Sequence, residues 1–233
     1  MVKLRRAEER GHANRGWLNS NFTFSFADYH DPAHMGFRSL RVINDDVVQG
    51  GKGFGAHGHR DMEIISYVLE GALTHRDSMG EERSVGPNTI QAMSAGTGVV
   101  HSEFNASRGE PVHFLQIWIV PSEEDLEPSY QQISFAPEEK HGRLKLLAGP
   151  EKVEGSAFIH QDAWVYASAL DPGQRIEKPL EKGRHAWVQV ASGNVALNGH
   201  SLKTGDGAAV SEEDMLRLEG AQDGGEVLLF DLS

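Results

Sequence analysis

The chain contains no cysteine. That absence removes disulfides, thiolate nucleophiles, zinc ribbons and iron–sulfur clusters together, so any metal must be held by His, Asp or Glu. No run approaches eighteen apolar residues, so nothing reads as a transmembrane helix. The opening stretch Met1-Val2-Lys3-Leu4-Arg5-Arg6 lacks an apolar segment of signal-peptide type, and the expected location is the cytoplasm. Basic residues are in deficit: 22 Lys and Arg against 34 Asp and Glu leave a formal net charge of −12. Such a surface argues against direct nucleic-acid contact and against anionic membranes, while leaving a protein partner open. The acidic clusters Glu123-Glu124-Asp125 and Glu212-Glu213-Asp214 read as solvated loops. Proline is scarce at 9 residues, whereas 26 glycines recur singly between apolar runs, which is the punctuation of a many-stranded protein.

Short apolar segments bounded by turn residues dominate the chain, among them Leu40–Val48, Glu63–Leu69, Thr89–Met93, Val112–Val120, Ala163–Ala169, Ala186–Ala191 and Glu226–Leu232. No segment keeps a long 3.6-residue apolar period, and Pro121–Tyr130 is the best candidate for a short helix or connecting loop. The class is all-β, a sandwich or barrel. A weak internal repeat aligns Gly71 with Gly193 and Gly86 with Gly205. The alternating run Phe22, Phe24, Phe26 reads as a strand with one buried aromatic face, with a second reading as cover for a pocket mouth.

Two pairs of metal-ligand residue types stand out, His57-Gly58-His59 and His101-Ser102-Glu103. In a strand, side chains at i and i+2 share a face. Two such strands facing one another in a barrel would offer three imidazoles and one carboxylate to a single ion. In the repeat alignment Pro179, Glu181, Gly220 and Gln222 replace these four, so the second half keeps the turns without the ligands. Asp61 and Glu63 share parity with the two histidines and are read as partners or charge balance for the site rather than ligands. His113 is expected in the core or lining the pocket, and His185 is read as structural. Phe54 and Met62 are candidate apolar walls.

The spacing around these pairs resembles the two motifs of the cupin superfamily: Gly51, His57, His59, Glu63 and Gly71 in the first, and Gly98, His101 and Asn105 in the second. The second motif has Gly96 where many cupins have proline. Further stretches narrow the resemblance to the pirin family. They are Arg10-Gly11-His12, Gly16-Trp17-Leu18, Phe22 to Tyr29, Met35-Gly36-Phe37, Leu40 to Asp46, Gly53-Phe54-Gly55, Ser94 to Gly98 and Gln116-Ile117-Trp118.

The resemblance implies two cupin-type (double-stranded β-helix, jelly-roll) barrels facing each other. Residues 1–132 are expected to form the metal-binding barrel, and 133–233 a barrel without ligands. It implies a metal held by His57, His59, His101 and Glu103, with Fe(II) expected and Ni, Co, Mn, Cu or Zn as substitutes. Three neutral imidazoles and one carboxylate leave a net charge of about +1 on a divalent ion, which suits an anionic oxygen ligand, and leave open positions for substrate and dioxygen. The implied activity is a dioxygenase resembling quercetin 2,3-dioxygenase, opening a flavonol or similar planar enol with release of carbon monoxide. Glu103 would serve as ligand, as general base, or as both. The alternative is an iron-dependent redox-sensing regulator acting through protein partners. A monomer is expected.

Overall fold

A computed structural model describes residues 1–80 and 82–233. Among the described residues twenty strands follow in chain order. They begin with β1 (Val2–Arg5), β2 (Gly11–Asn14), β3 (Leu18–Phe22), β4 (Leu40–Val48), β5 (Gly53–His59), β6 (Glu63–Glu70), β7 (Leu73–Asp77), β8 (Glu82–Val85), β9 (Thr89–Ser94), β10 (Val99–Asn105), β11 (Val112–Ile119) and β12 (Ser129–Ser134). They continue with β13 (Lys145–Gly149), β14 (Ala157–Phe158), β15 (Ala163–Leu170), β16 (Arg175–Pro179), β17 (His185–Leu197), β18 (His200–Lys203), β19 (Gly207–Val210) and β20 (Met215–Leu232). The helical elements among the described residues are single 3-10 turns at Ala7–Glu9 and Pro137–Glu139. Among the described residues no helix is long and apolar enough to cross a membrane. The helix considered at Pro121–Tyr130 does not form: that stretch is irregular until β12 begins at Ser129.

The chain divides into two compact units. The first comprises Gly11–Ser134 with Ala157–Gln161, and the second Met1–Arg10, Phe135–Ser156 and Asp162–Ser233. The first ten residues therefore group with the C-terminal unit, because β1 pairs antiparallel with β19, Val2 opposite Val210 and Arg5 opposite Gly207.

In the first unit one antiparallel sheet runs β12-β9-β6-β11-β4-β3-β2 and a second runs β5-β10-β7-β8. The face of the large sheet that carries Ile64, Val68, Val112 and Phe114 is largely apolar, with a polar band across it. Asn44, Gln116, Ser66 and Gln91 are successive cross-strand neighbours on β4, β11, β6 and β9. All four are buried, so a polar belt runs across this face, and buried polar groups of this kind must find partners.

The aromatic run behaves differently from its pattern. Ladder pairing stops at Phe22, because Ser25 and Asp31 bond one another (Asp31 N–H donates to Ser25 Oγ at 2.8 Å) and Phe26 bridges Tyr29 across a tight turn at Ala27, φ 48. Alternation in side-chain burial outlasts the strand, with Phe24 fully in the core.

In the second unit the strands run β1-β19-β17-β20-β15-β13, with β16 on β20 and β18 on β17. Its interior is filled by aliphatic side chains, including Leu180, Val188, Val190, Leu216, Leu218, Val227 and Leu229. Each buries an apolar side chain worth roughly 1.5–3 kcal/mol, and together they form a packed apolar core. His185 bonds Ser211 Oγ through Nδ1 at 2.7 Å, a structural contact.

Candidate metal centre and its pocket

Register places the ligand pairs together. On β10, His101 stands directly opposite His57 of β5 and Val99 opposite His59. A β-bulge then shifts the pairing so that Glu103 faces Phe54 rather than Gly55. Bulges re-aim side chains near active sites. Gly53 permits the close approach, since a Cβ there would meet the Glu103 carbonyl oxygen at 2.3 Å.

The ligand atoms of His57, His59 and His101 all lie within 4.8 Å of one another, and the Nε2 atoms of His57 and His101 are 3.1 Å apart. Two imidazoles at right angles on one ion, with bonds of about 2.1 Å, would hold their nitrogens about 3.0 Å apart. His57 is oriented by the Gly55 carbonyl, 2.7 Å from its Nδ1. A carbonyl only accepts, so Nδ1 carries the proton and Nε2 presents its lone pair. Burial, helped by the neighbouring His57, pushes the His59 imidazole down to about 4 and that of His101 to about 3. Both are neutral at pH 7, the form that ligates. The donor set therefore fits a divalent transition metal.

Glu103 lies on the same face but is held apart from this trio. Its carboxylate accepts from Gln91 Nε2 at 2.6 Å, from Gln116 Nε2 at 2.7 Å and from Ser66 Oγ at 3.3 Å. Three of the four belt residues are thus accounted for as its cradle. Burial raises its carboxyl to about 7 against the opposing pull of these three bonds. The ligand-type atoms that group with Glu103 are those of His101 and His75.

His75 was not among the residues singled out from the sequence. The signal was present: His75-Arg76-Asp77 is a third pair of ligand-type residues at i and i+2, on the strand beside β10.

Asp61 and Glu63 do not serve the site. Asp61 sits in the turn between β5 and β6, φ 47, where its Oδ1 accepts the Asp125 N–H. Glu63 begins β6 after that turn and points to Ser94, 2.7 Å away, and His160, 3.1 Å away. Strand parity failed because β5 ends at His59 and the chain turns before β6 begins at Glu63. His113 pairs with Asp45 at 2.6 Å and is not part of the pocket wall. Gly96 adopts φ +45, which the fixed φ of proline near −65° forbids, and a Cβ there would lie 2.0 Å from the Leu126 carbonyl oxygen.

His57, His59 and Glu103 open into a cavity of about 290 Å³, near the small end of the roughly 300–1,000 Å³ usual for small-molecule sites. Trp17, Phe22, Phe26, Phe54 and Trp118 give it aromatic walls, so Phe22 and Phe26 do cover a pocket. Met62 instead packs against Ile64, Met93 and Val99. Two buried wall atoms have no hydrogen-bond partner, the acceptor Asn44 Oδ1 and the donor Trp118 Nε1. Such groups are rare unless a ligand completes them. A larger hollow of about 570 Å³ in the second unit is lined by the ion pairs Arg175–Glu219 and Arg217–Glu177, and neither ligand-type cluster found among the described residues lies there.

Comparison with known proteins agrees with this geometry. Residues 3–119 match the Pirin family model and residues 146–232 the model described as the quercetinase C-terminal cupin domain. A quercetin 2,3-dioxygenase of Escherichia coli strain K12 is 48% identical over 232 residues, covering 100% of this chain and 99% of that protein. A putative quercetin 2,3-dioxygenase of Pseudomonas aeruginosa is 43% identical over the full length of both. The crystal structure of YhhW from Escherichia coli superposes with a TM-score of 0.96 at 47% identity, covering 100% of this chain and 98% of that one. The bacterial pirin YhhW in complex with nickel(II) gives 0.94 at 47% identity, over 100% and 99% of the two chains. With two cupin-type units and three converging imidazoles beside an aromatic-walled pocket, the chain belongs to the pirin family.

Proposed function

We propose that this protein is a mononuclear-metal dioxygenase of the quercetin 2,3-dioxygenase type, acting on a flavonol or similar planar enol. The observation that carries the reading is the 3.1 Å approach of His57 and His101 Nε2 near a buried carboxylate, next to an aromatic-walled cavity. His57, His59 and His101 would hold the ion, and Glu103 would be its fourth ligand or the adjacent base. Fe(II) is the metal we assign, although imidazole-rich sites take nickel, copper or zinc readily. When bound, the ion supplies a Lewis-acid and redox centre where enolate and dioxygen react.

The chain's own residues supply the rest. Trp118, Phe26, Phe22 and Phe54 hold a flat ring system by its faces and exclude water. Glu103, raised to about 7, is matched to take the proton of an enolic hydroxyl near neutral pH. Gln91, Gln116 and Ser66 keep that carboxylate in place without an ammonium or guanidinium, whose charge would weaken it as a base. Asn44 Oδ1 and Trp118 Nε1 are available to the polar rim of the substrate.

Curated relatives named as dioxygenases favour turnover over the redox-sensing alternative. Cytoplasmic operation as a monomer is part of the proposal, the second half being open to sedimentation analysis. The deciding experiment loads the protein anaerobically with Fe(II), adds quercetin and then oxygen, and follows oxygen uptake with loss of the flavonol absorbance. One dioxygen consumed per flavonol supports the reading. No uptake with Fe, Mn, Co, Ni or Cu sinks it.

A further inference from the structure

His75 and Asp77 lie on β7 with their side chains on the face shared by His101 and Glu103; the register sets Asp77 opposite His101 and His75 opposite Glu103. Both side chains are completely buried. Asp77 is anchored through both oxygens: Oδ1 accepts the Met79 N–H at 2.8 Å, and Oδ2 lies 2.8 Å from His75 Nε2. The His75 ring stacks on Tyr130, centroids 4.8 Å apart and planes inclined 29°. Its other nitrogen, Nδ1, is 3.3 Å from Nδ1 of His101.

One placement of protons satisfies this series and leaves His101 able to ligate. A carboxylate accepts, so His75 carries its proton on Nε2 and donates to Asp77. In a neutral imidazole that leaves Nδ1 of His75 as an acceptor. Its neighbour must then donate, which puts the His101 proton on Nδ1. Nε2 of His101 keeps its lone pair and faces the lone pair of His57 Nε2 at 3.1 Å, two acceptors that a shared cation would satisfy. The reverse order would put the proton on His101 Nε2 and block the ligand position. Gly55 performs the same service for His57 through a backbone carbonyl. For His101 the service is relayed through two side chains.

We propose that the buried Asp77–His75 pair fixes the tautomer and ring orientation of His101, and so sets the affinity of the centre for its metal. His75 is thereby a positioning residue rather than a ligand. The inference rests on the reading of His57, His59 and His101 as a metal site, and it names the side chains that prepare that site before any ion arrives. Partners of this kind are worth about 10–100-fold in metal affinity.

The first test uses the metal-free protein, so its failure is separable from failure of the metal reading. In 15N-histidine-labelled protein, two-bond proton–nitrogen correlations should show His101 protonated on Nδ1 and His75 on Nε2. A His101 protonated on Nε2 overturns the proposal, even if the site binds metal. The second test measures Co(II) dissociation constants by competition with a chelator. Asp77→Leu and His75→Phe should weaken binding by about 10–100-fold, and Asp77→Asn, which keeps an acceptor oxygen, should recover most of the loss. Asp77→Leu should also raise the Nε2-protonated population of His101. Unchanged Co(II) affinity in both folded variants, with His101 still protonated on Nδ1, refutes the relay. Metal-induced perturbation of the His75 nitrogens equal to that of His101 would make His75 a ligand and refute the positioning role.

Discussion

Nε2 of His57 and Nε2 of His101 face one another at 3.1 Å across two paired strands. Each ring is tied at its far nitrogen, His57 to a backbone carbonyl and His101 to His75. The pair is therefore set before an ion binds. Replacing either histidine by alanine should lower affinity for Fe(II) or Co(II) by at least about 100-fold, the upper end of what outer partners alone contribute. Equilibrium dialysis with metal analysis checks this, and affinity within tenfold of wild type in both variants would remove the site.

Glu103 sits near pH 7 because burial outweighs the bonds from Gln91, Ser66 and Gln116. As a base it must be ionised, so kcat/KM should fall as pH drops through its pKa, a bound cation moving that limb lower. Removing a donor weakens the ionised form. Gln91→Ala or Gln116→Leu should therefore move the acid limb to higher pH. Glu103→Gln should cost about 10²–10⁴ in kcat. A pH–rate profile whose acid limb stays in place in the Gln91 and Gln116 variants would exclude Glu103 as the base.

Asp46 is buried and bonded by Ser20 Oγ, and burial raises its carboxyl from an ordinary 3.8 to about 7. Between those values the folded state keeps a proton that the unfolded chain has released. This group's contribution to stability is thus fullest below about pH 4, declines as pH rises to about 7, and is flat above. Glu103 adds to the same trend in the metal-free protein. Asp46→Asn removes the titration, and should be more stable than wild type at pH 8 by on the order of 1–3 kcal/mol, with no such gain at pH 4. Urea melts at several pH values decide, and parallel profiles for the two proteins would contradict the assignment.

Asn44 Oδ1 is a buried acceptor with no partner in the cavity wall. Leaving such a group unpaired costs about 1–3 kcal/mol. Asn44→Leu should raise thermal stability by about 1 kcal/mol while raising KM for a flavonol roughly tenfold, which corresponds to about 1.4 kcal/mol. A stabilised variant with unchanged KM would show that the atom does not meet substrate.

The two candidate pairs were legible as pairs because strand periodicity is local: His57 with His59 and His101 with Glu103 each need only two residues of extended chain. β4 was legible for the same reason, and its predicted bounds Leu40–Val48 are those observed. What lay across strands was not. Nothing local says that β7 docks beside β10 with His75 opposite Glu103. The bulge that turns Glu103 toward Phe54 is a pairing event, and the belt Asn44–Gln116–Ser66–Gln91 exists only through register between four strands. Parity also misled where the backbone turned. Asp61 and Glu63 were counted along a strand that ends at His59, and Phe24 to Ala27 alternate like a strand although local bonds from Ser25 and Phe26 close a turn instead.

The pairing of β1 with β19 has a temporal consequence. Val2–Arg5 leave the ribosome before β2 to β12, yet their partners Gly207–Val210 emerge about two hundred residues later. At roughly 5–20 residues per second, the leading strand waits on the order of 10–40 seconds for its mate, while β2 to β12 are already available to collapse. The unit that carries His57 and His101 can thus form while β1 is still unpaired, and the companion unit closes last, by capturing a strand made long before its mate.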